Sequence, residues 1–274
     1  MSKSSKANWS DLAIRLVSAL VMAALALATN WLGGRLFALF WLIAALAVLV
    51  EWLRLVMPGR ASWPEIGLGS IALVIATLLA DGGRGMVGLI FILVGAVVLG
   101  GLATWRNKQQ SLLIAAALPY AAAVVLPVLV LRQDEPHGSN AILVLFAIVW
   151  GSDVMAYFTG RTLGGPKLCP RISPKKTWSG FVGGLVFGGL GAGLVGGSLA
   201  LVLLGGFLAA ISQGGDLVES ALKRRFDAKD ASHLIPGHGG VMDRLDGFLA
   251  AALTALIVGV IHGGGHPAHG LLAW

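Results

Sequence analysis

Long apolar stretches recur along the chain, and short polar segments separate them. Many approach the roughly 20 apolar residues that an α-helix needs to cross a bilayer. The pattern therefore predicts an all-α, polytopic integral membrane protein with about nine transmembrane helices. Eight or ten would also fit, because several stretches are short or rich in Gly and Pro. The predicted spans are residues 12–32, 36–56, 66–80, 86–103, 111–131, 140–159, 180–196, 198–215 and 247–262.

Polar residues are distributed unevenly between the two halves of this predicted membrane domain, residues 1–274. The N-terminal helical part, residues 1–131, has only short connections. The C-terminal helical part, residues 140–262, contains two long polar loops, at 160–179 and 216–246. We therefore expect the C-terminal part to carry the functional site.

The composition supports the membrane class and narrows the partners. The 274 residues are 57% hydrophobic and only 12% charged, whereas soluble domains carry about 25% charged residues. The net charge of +7 comes from basic residues between apolar spans. Membrane phospholipids or phosphate substrates are therefore the expected partners, and nucleic acid is not. A single cysteine, Cys169, excludes an internal disulfide framework.

The distribution of Lys and Arg predicts the orientation. If the N-terminus is cytoplasmic, seventeen basic residues lie on the inner side, among them Lys3, Lys6, Arg60 and Lys108. Three lie on the outer side, namely Arg35, Arg84 and Arg132. This asymmetry follows the positive-inside rule and predicts that both long polar loops face the cytoplasm.

The most polar stretch, residues 220–246, reads SALKRRFDAKDASHLIPGHGGVMDRLD. Its Gly-rich turn at 236–240 lets the backbone approach an anion closely, and its Lys and Arg residues supply positive charge. Asp243 and Asp246 are three residues apart, so on a helix they share a face and suit one hard cation. The combination indicates a site for a metal-bound phosphate ester. The alternative is a solvated loop without a function of its own.

Acids within or beside apolar spans are costly, so each is a functional candidate. Asp153 lies within a span, and Asp216 ends another, close to the basic loops. Glu51 is better explained as an interfacial acid next to Arg54. The 160–179 loop, with Lys175 and Lys176, is either a clamp for a triphosphate or lipid phosphate, or only inner-face charge.

Two Gly-rich regions have less specific meanings. The seventh span contains four-residue Gly spacings such as Gly184–Gly188, which allow helices to pack closely. This spacing serves either packing within one subunit or a homodimer interface. The tail HGGGHPAHGLLAW is predicted to be a flexible end rather than a metal site.

The polar motifs resemble those of the phosphatidate cytidylyltransferases, also called CDP-diacylglycerol synthases. The SQGGDLVES and ISPKKTW segments also look like that family, as does the stretch from Asp153 to Arg161, although Val154 and Met155 replace the expected Thr-Gly. The resemblance is specific over about residues 150–246 and generic before that. The residues that match the family signature are Ser220, Lys223, Arg224, Lys229, Asp230, Pro236, His238, Gly239, Gly240, Asp243, Arg244 and Asp246.

The resemblance implies an Mg²⁺-dependent nucleotidyltransferase of the bacterial inner membrane, with its active site facing the cytoplasm. It would use CTP and phosphatidic acid and release CDP-diacylglycerol and pyrophosphate. Asp216, Asp243 and Asp246 are the implied metal ligands, and together with Lys223 they form the implied catalytic set. Asp153 is a further candidate. The implied substrate-binding residues are Lys175, Lys176, Ser220, Arg224, Lys229, His238, Gly239, Gly240 and Arg244.

Other functions stay open at this point. A related CTP-dependent enzyme for another lipid phosphate, or a lipid kinase, would keep the metal and nucleotide residues but change the lipid groove. A secondary transporter would use Asp153 and Asp216 as coupling sites and would be expected to show inverted repeats. No repeat is visible in the sequence. For the turn, His238 is a candidate hydrogen-bond donor to the leaving group, and a conformational role is the alternative.

Overall fold

The computed structural model describes residues 6–58, 63–106 and 109–274, and side chains from residue 13 onward. Lys3, Arg60 and Lys108, on which the predicted orientation partly depends, lie outside the described residues. Ten helices are present in the described part. They are α1 Lys6–Leu32, α2 Gly34–Val56, α3 Trp63–Asp81, α4 Gly85–Trp105, α5 Ser111–Arg132, α6 Gly138–Thr162, α7 Trp178–Gly196, α8 Leu199–Arg225, α9 Met242–Gly263 and α10 Pro267–Leu272.

Nine of these helices, α1 to α9, are long and apolar enough to cross a membrane, so the predicted all-α fold with nine spans is confirmed for the described residues. Large apolar side chains point outward from them, for example Val97 and Leu194. Such side chains are stable only against lipid or another apolar surface. The cytoplasmic position of the N-terminus stays a prediction.

The fold differs from the prediction at the ends of the last spans. The eighth apolar stretch ends near residue 215, but α8 continues to Arg225, and α9 begins at Met242 rather than at residue 247. Lys and Arg are good helix formers, so a helix can extend past the point where hydropathy falls. The polar connection is therefore shortened to residues 226–241, and most candidate residues lie on helices.

The loop at 160–179 also has structure that hydropathy did not indicate. It contains two short antiparallel strands, β1 Lys167–Cys169 and β2 Ser173–Thr177, with Lys167 opposite Thr177. Thr177 then caps α7 by accepting a hydrogen bond from the backbone N–H of Gly180, at 3.1 Å. This hairpin fixes Lys175 and Lys176 immediately before a helix.

Glycine allows the helices of the C-terminal part to approach closely. A Cβ added at Gly188 would lie 2.8 Å from Cβ of Ala209 on α8, and one at Gly205 would lie 2.4 Å from Cβ of Ala192 on α7. Such distances are shorter than van der Waals contact, so larger residues would force the helices apart. These glycines therefore pack α7 within the chain. A homodimer stays a prediction.

Aromatic side chains join α2, α6 and α9 near the interior. The rings of Trp41 on α2 and Phe248 on α9 are stacked, with centroids 4.9 Å apart, and those of Trp41 and Phe146 on α6 are stacked with centroids 6.4 Å apart. Aromatic contacts of this kind add to the packing energy beyond the area they bury. They fix the helix that starts the C-terminal part against one from the N-terminal part.

The C-terminal tail is not the flexible end predicted from its glycines and proline, because α10 packs against α9. Asp134, in the α5–α6 connection, accepts hydrogen bonds from the backbone N–H groups of Ala268 and His269, at 2.7 and 2.9 Å. It also pairs with Nδ1 of His266 at 3.0 Å. Burial by itself raises the pKa of Asp134, but these partners outweigh it and lower the pKa below its usual value.

Candidate active site

The candidate residues meet at one end of the bundle, where α8 ends and α9 begins. The connection between them folds back on itself, since the N–H of Ile235 donates to the carbonyl of Gly239 at 2.8 Å. Gly237 and Gly239 have φ angles of 75° and 82°, which side chains other than glycine rarely adopt. The turn at 236–240 therefore depends on glycine for its shape.

Three acids of α8 and α9 form a cluster, defined here as Asp216, Glu219 and Asp246. Each offers a carboxylate oxygen, and these oxygens lie within 4.8 Å of one another. Glu219 is buried, and its Oε1 receives no hydrogen bond from any described residue. A buried oxygen without a donor is costly, so this atom indicates that the cluster could bind a cation.

The acid cluster differs from the predicted set of metal ligands by one residue: it contains Glu219, whereas the predicted set contains Asp243. The side chain of Asp243 is only 4% exposed, and its Oδ1 pairs with Nζ of Lys223 at 2.6 Å. Its Oδ2 accepts hydrogen bonds from the N–H groups of Gly240 and Ala231, at 2.7 and 2.9 Å. Asp243 thus holds the turn and Lys223, and its side chain also interacts with that of Glu219. Its role as a metal ligand stays a prediction.

Lys223 connects these two groups of acids. Its ammonium also lies 2.6 Å from Oε2 of Glu219, one helical turn earlier on α8. Removal of a partner from such a buried ion pair is costly, because it leaves an uncompensated charge. Lys223 therefore fixes the spacing between the acid cluster and the turn.

The β-hairpin that precedes α7 also contacts the acid cluster. Lys176 Nζ pairs with Oδ2 of Asp216 at 2.7 Å, and the hydroxyl of Ser220 donates to its Oδ1 at 3.2 Å. The predicted lysine of one loop and the predicted acid of the other are thus neighbours, which places the two polar loops around a single site.

Arg244 and His238 form the outer part of the turn. The guanidinium of Arg244 donates two hydrogen bonds to the carbonyl of His238, at 3.0 and 2.9 Å. Burial and the nearby Arg244 lower the pKa of His238, so its imidazole is neutral near pH 7. The N–H groups of His238 and Gly240 bond within the chain, to Ile235 and Asp243. These two N–H groups are therefore not free to bind a triphosphate, although the Gly-rich sequence had suggested that the turn could do so.

A cavity of about 1440 Å³ adjoins the site and has two chemically different ends. Its polar end includes Asp153, Lys175, Lys176, Asp216 and Asp246. Its apolar end is lined by aliphatic and aromatic side chains, such as Met22, Phe40, Trp41, Trp150 and Phe248. The cavity can therefore accept a molecule with a charged head and an apolar body.

Five of the predicted substrate-binding residues do not line this cavity, namely Ser220, Arg224, Lys229, Gly239 and Gly240, and two of them lie apart from the contacts described above. The guanidinium of Arg224 donates to the carbonyl of Ala228 at 3.0 Å and so closes the end of α8. Lys229 is exposed on the connection. Neither lines the cavity in the described structure. Their predicted role in substrate binding therefore has no support from the geometry.

Sequence reasoning missed two residues that shape the site. Glu219 was not among the predicted site residues, and only the position of α9 brings it to Asp246. Glu51 was interpreted as an interfacial acid, but it is buried and bonded to the α8–α9 connection. Its occurrence within an apolar span was the available signal.

Comparisons with known proteins agree with the motifs. Residues 13–262 match the model described as the cytidylyltransferase family. The phosphatidate cytidylyltransferase of Brucella abortus biovar 1 (strain 9-941) is 41% identical over 258 residues, which cover 92% of this chain and 94% of the relative. The protein of the same name from Staphylococcus epidermidis (strain ATCC 12228 / FDA PCI 1200) is 32% identical over 251 residues, 86% of this chain and 94% of the relative. By the length and level of these matches, the chain belongs to the cytidylyltransferase family.

Proposed function

We propose that this protein is a phosphatidate cytidylyltransferase, which transfers CMP from CTP to phosphatidic acid and yields CDP-diacylglycerol and pyrophosphate. The observation that carries the proposal is the two-ended cavity, with acids and lysines at one end and apolar side chains at the other. A nucleoside triphosphate needs the first kind of surface, and a diacyl lipid needs the second. The names of the relatives supply the identity of the two substrates.

The acid cluster fits a Mg²⁺ ion. Asp216, Glu219 and Asp246 offer hard oxygen ligands close together, and the oxygen Oε1 of Glu219 is buried without a donor among the described residues. These three residues would hold the ion, with phosphate oxygens and water as further ligands. When bound, Mg²⁺ would supply positive charge that neutralises the phosphates and the developing pyrophosphate.

The residues of the chain would position and neutralise the reactants. An ionised oxygen of the phosphatidate monoester attacks the α-phosphorus of CTP and forms the new P–O bond. The bond from the α-phosphorus to the oxygen bridging to the β-phosphorus breaks, and pyrophosphate leaves with those electrons. The nucleophile is already ionised near pH 7, so no general base is needed. Catalysis is then mainly orientation and charge neutralisation.

Basic side chains that line the cavity have separate roles in this proposal. Lys175 and Lys176 hold the lipid phosphate, because both line the cavity and Lys176 lies beside Asp216. Lys223 keeps Glu219 and Asp243 at fixed positions. Neutral His238 is suited to donate a hydrogen bond to the departing pyrophosphate. The proposal places this end of the bundle at the cytoplasmic face of the bacterial inner membrane, where CTP is available.

The direct test is turnover by purified protein in detergent with labelled CTP, phosphatidate and Mg²⁺, with and without EDTA. We expect CDP-diacylglycerol and pyrophosphate in equal amounts, and no product with EDTA. Product with a different lipid phosphate but none with phosphatidate would assign a related enzyme. No product with any lipid, from protein shown to be folded, would refute the proposed function.

A further inference from the structure

Glu51 on α2 contacts the turn that leads into α9. Its side chain is buried and accepts three hydrogen bonds, all from residues about 180 or more positions later in the chain. Oε1 accepts from the hydroxyl of Ser232 at 2.6 Å and from the N–H of Val241 at 3.0 Å, and Oε2 accepts from the N–H of Met242 at 2.7 Å. The first N–H groups of a helix lack partners within the helix, so a carboxyl group here both satisfies them and interacts favourably with the helix dipole.

The position of Glu51 is itself fixed. The adjacent Trp52 donates a hydrogen bond from Nε1 to the carbonyl of Leu113 at 2.7 Å, and its ring packs on Tyr120 with centroids 4.5 Å apart. α2 is thereby joined to α5, the helix that contributes many of the fully buried residues of the core. The carboxyl group of Glu51 is therefore presented from a rigid element.

The turn also fits closely over this carboxyl group. A Cβ added at Gly240 would lie 2.8 Å from each oxygen of Glu51. The same Gly240 donates its N–H to Asp243 at 2.7 Å. Glu51 and Asp243 thus hold the backbone around Gly240 through different atoms, one from α2 and one from the start of α9.

We propose that Glu51 is a positioning residue for the reaction: it fixes the start of α9, and with it Asp243 and Asp246, against the acids of α8. The kinetic consequence of this inference rests on the proposed function, whereas the contact between Glu51 and the start of α9 is independent of it. A carboxyl group at position 51 would then affect the rate of the chemical step more than the binding of either substrate, because it touches neither.

The first experiment replaces Glu51 by Gln, which keeps the size of the side chain but cannot accept from all three donors. A small misplacement of reacting groups can cost about 100-fold in rate. We expect kcat to fall by about 10- to 100-fold, while KM for CTP and for phosphatidate changes by less than about threefold. Ser232→Ala removes only one of the three donors and should cause a smaller loss in the same direction.

The matched control is Glu65→Gln. Glu65 is also a buried acid of the N-terminal part, and it pairs with Arg106 at 3.4 Å rather than with the turn. We expect this variant to keep kcat within about threefold of the wild type. If Glu65→Gln and Glu51→Gln lose activity equally and in proportion to the folded fraction, Glu51 has only a structural role and the inference fails.

A double-mutant cycle tests whether Glu51 acts through the turn. Gly240→Ala should lose activity because its methyl group meets the carboxyl group, and Glu51→Asp should lose some because the shorter side chain reaches less far. Combined, the shorter acid makes room for the methyl group. We expect the double variant to lose less than the product of the two single losses. Multiplicative losses would contradict the inference.

A readout independent of activity separates this inference from the proposed function. Trypsin can cut the α8–α9 connection after the exposed Lys229. We expect Glu51→Gln to accelerate this cut by at least about tenfold and Glu65→Gln to leave it unchanged. If the wild type has no turnover, the proposed function fails, and proteolysis alone decides whether Glu51 holds the turn. Unchanged cleavage in Glu51→Gln would refute the inference in either case.

Discussion

Two carboxyl groups at opposite ends of α9 hold the start of a helix in the same way. Glu51 accepts from Val241 and Met242 at the beginning of α9, and Asp134 accepts from Ala268 and His269 at the beginning of α10. Each comes from a distant element, and each satisfies two consecutive backbone donors. What differs is what the helix carries: α9 continues into Asp243 and Asp246, whereas α10 continues into apolar residues that pack on α9.

This difference shows that the same local bond has different consequences at the two ends. At the start of α10 its loss affects only the attachment of the last helix. At the start of α9 its loss moves residues of the proposed reaction. Measurements of turnover and of stability should therefore separate the two ends, and the predictions below run from the largest expected effect to the smallest.

The largest effect is expected in the acid cluster itself. Asp246→Asn and Glu219→Gln each remove a charge and a ligand oxygen, so we expect kcat to fall by on the order of 1000-fold. Activity measured across a Mg²⁺ titration should also show a higher Mg²⁺ requirement. Near-normal turnover in Glu219→Gln would exclude Glu219 from the metal site and restore Asp243 as the third candidate ligand.

Asp243→Asn should have a smaller and different effect. The amide cannot pair with Lys223 as the carboxylate does, so the lysine and the turn lose a shared partner. We expect kcat to fall by about 10- to 100-fold, as for other displaced catalytic groups, with an unchanged Mg²⁺ requirement. A raised Mg²⁺ requirement, measured in the same titration, would instead indicate that Asp243 binds the ion.

At the start of α10, Asp134→Asn should leave kcat within about twofold of the wild type. Both backbone donors share Oδ2, so an amide oxygen can still accept from them, but the negative charge that favours the start of a helix is lost. We therefore expect the helix cap to weaken by about 0.3–1 kcal/mol. The measurement is thermal unfolding in detergent. Glu135→Gln is the control, because Glu135 lies on the same loop, is exposed and pairs with Arg132. A large loss of kcat would remove the contrast between the two ends.

The smallest effect concerns pH. The lowered pKa of Asp134 means that its contribution to stability is present above the ordinary carboxyl pKa of about 4 and is lost as pH falls through the lower folded value. The protection factors for hydrogen exchange at Ala268 and His269 should therefore stay high at pH 5 and fall only in stronger acid. Low protection already at pH 5 would contradict this account. Asp134→Asn should lose this pH dependence.

Sequence was sufficient for the features that depend on local composition. The nine spans could be predicted from the length of the apolar stretches. The site region at 220–246 could be predicted because it is much more polar than those spans. Sequence was not sufficient for features that need two distant elements. Glu219 meets Asp246 only because α9 lies beside α8, and α10 is ordered because Asp134 supplies a cap that its own glycines do not suggest.

The same limit explains the turn. Its Gly-Gly pair suggested a cradle for phosphate, and no property of residues 236–240 indicated that Gly240 rests against Glu51. A carboxyl group within an apolar span was a general signal of importance. Only the tertiary structure shows which backbone atoms it contacts.

The contact between Glu51 and the turn has a consequence for how this chain can be recombined with its relatives. Consider a chimera in which α1 and α2 come from a relative and the C-terminal part comes from this chain. It contains all the charged motifs of the site, but it has the carboxyl group that positions them only if α2 of the relative has an acid at the place of Glu51. The two parts of the chain would therefore be exchanged successfully only as a matched pair.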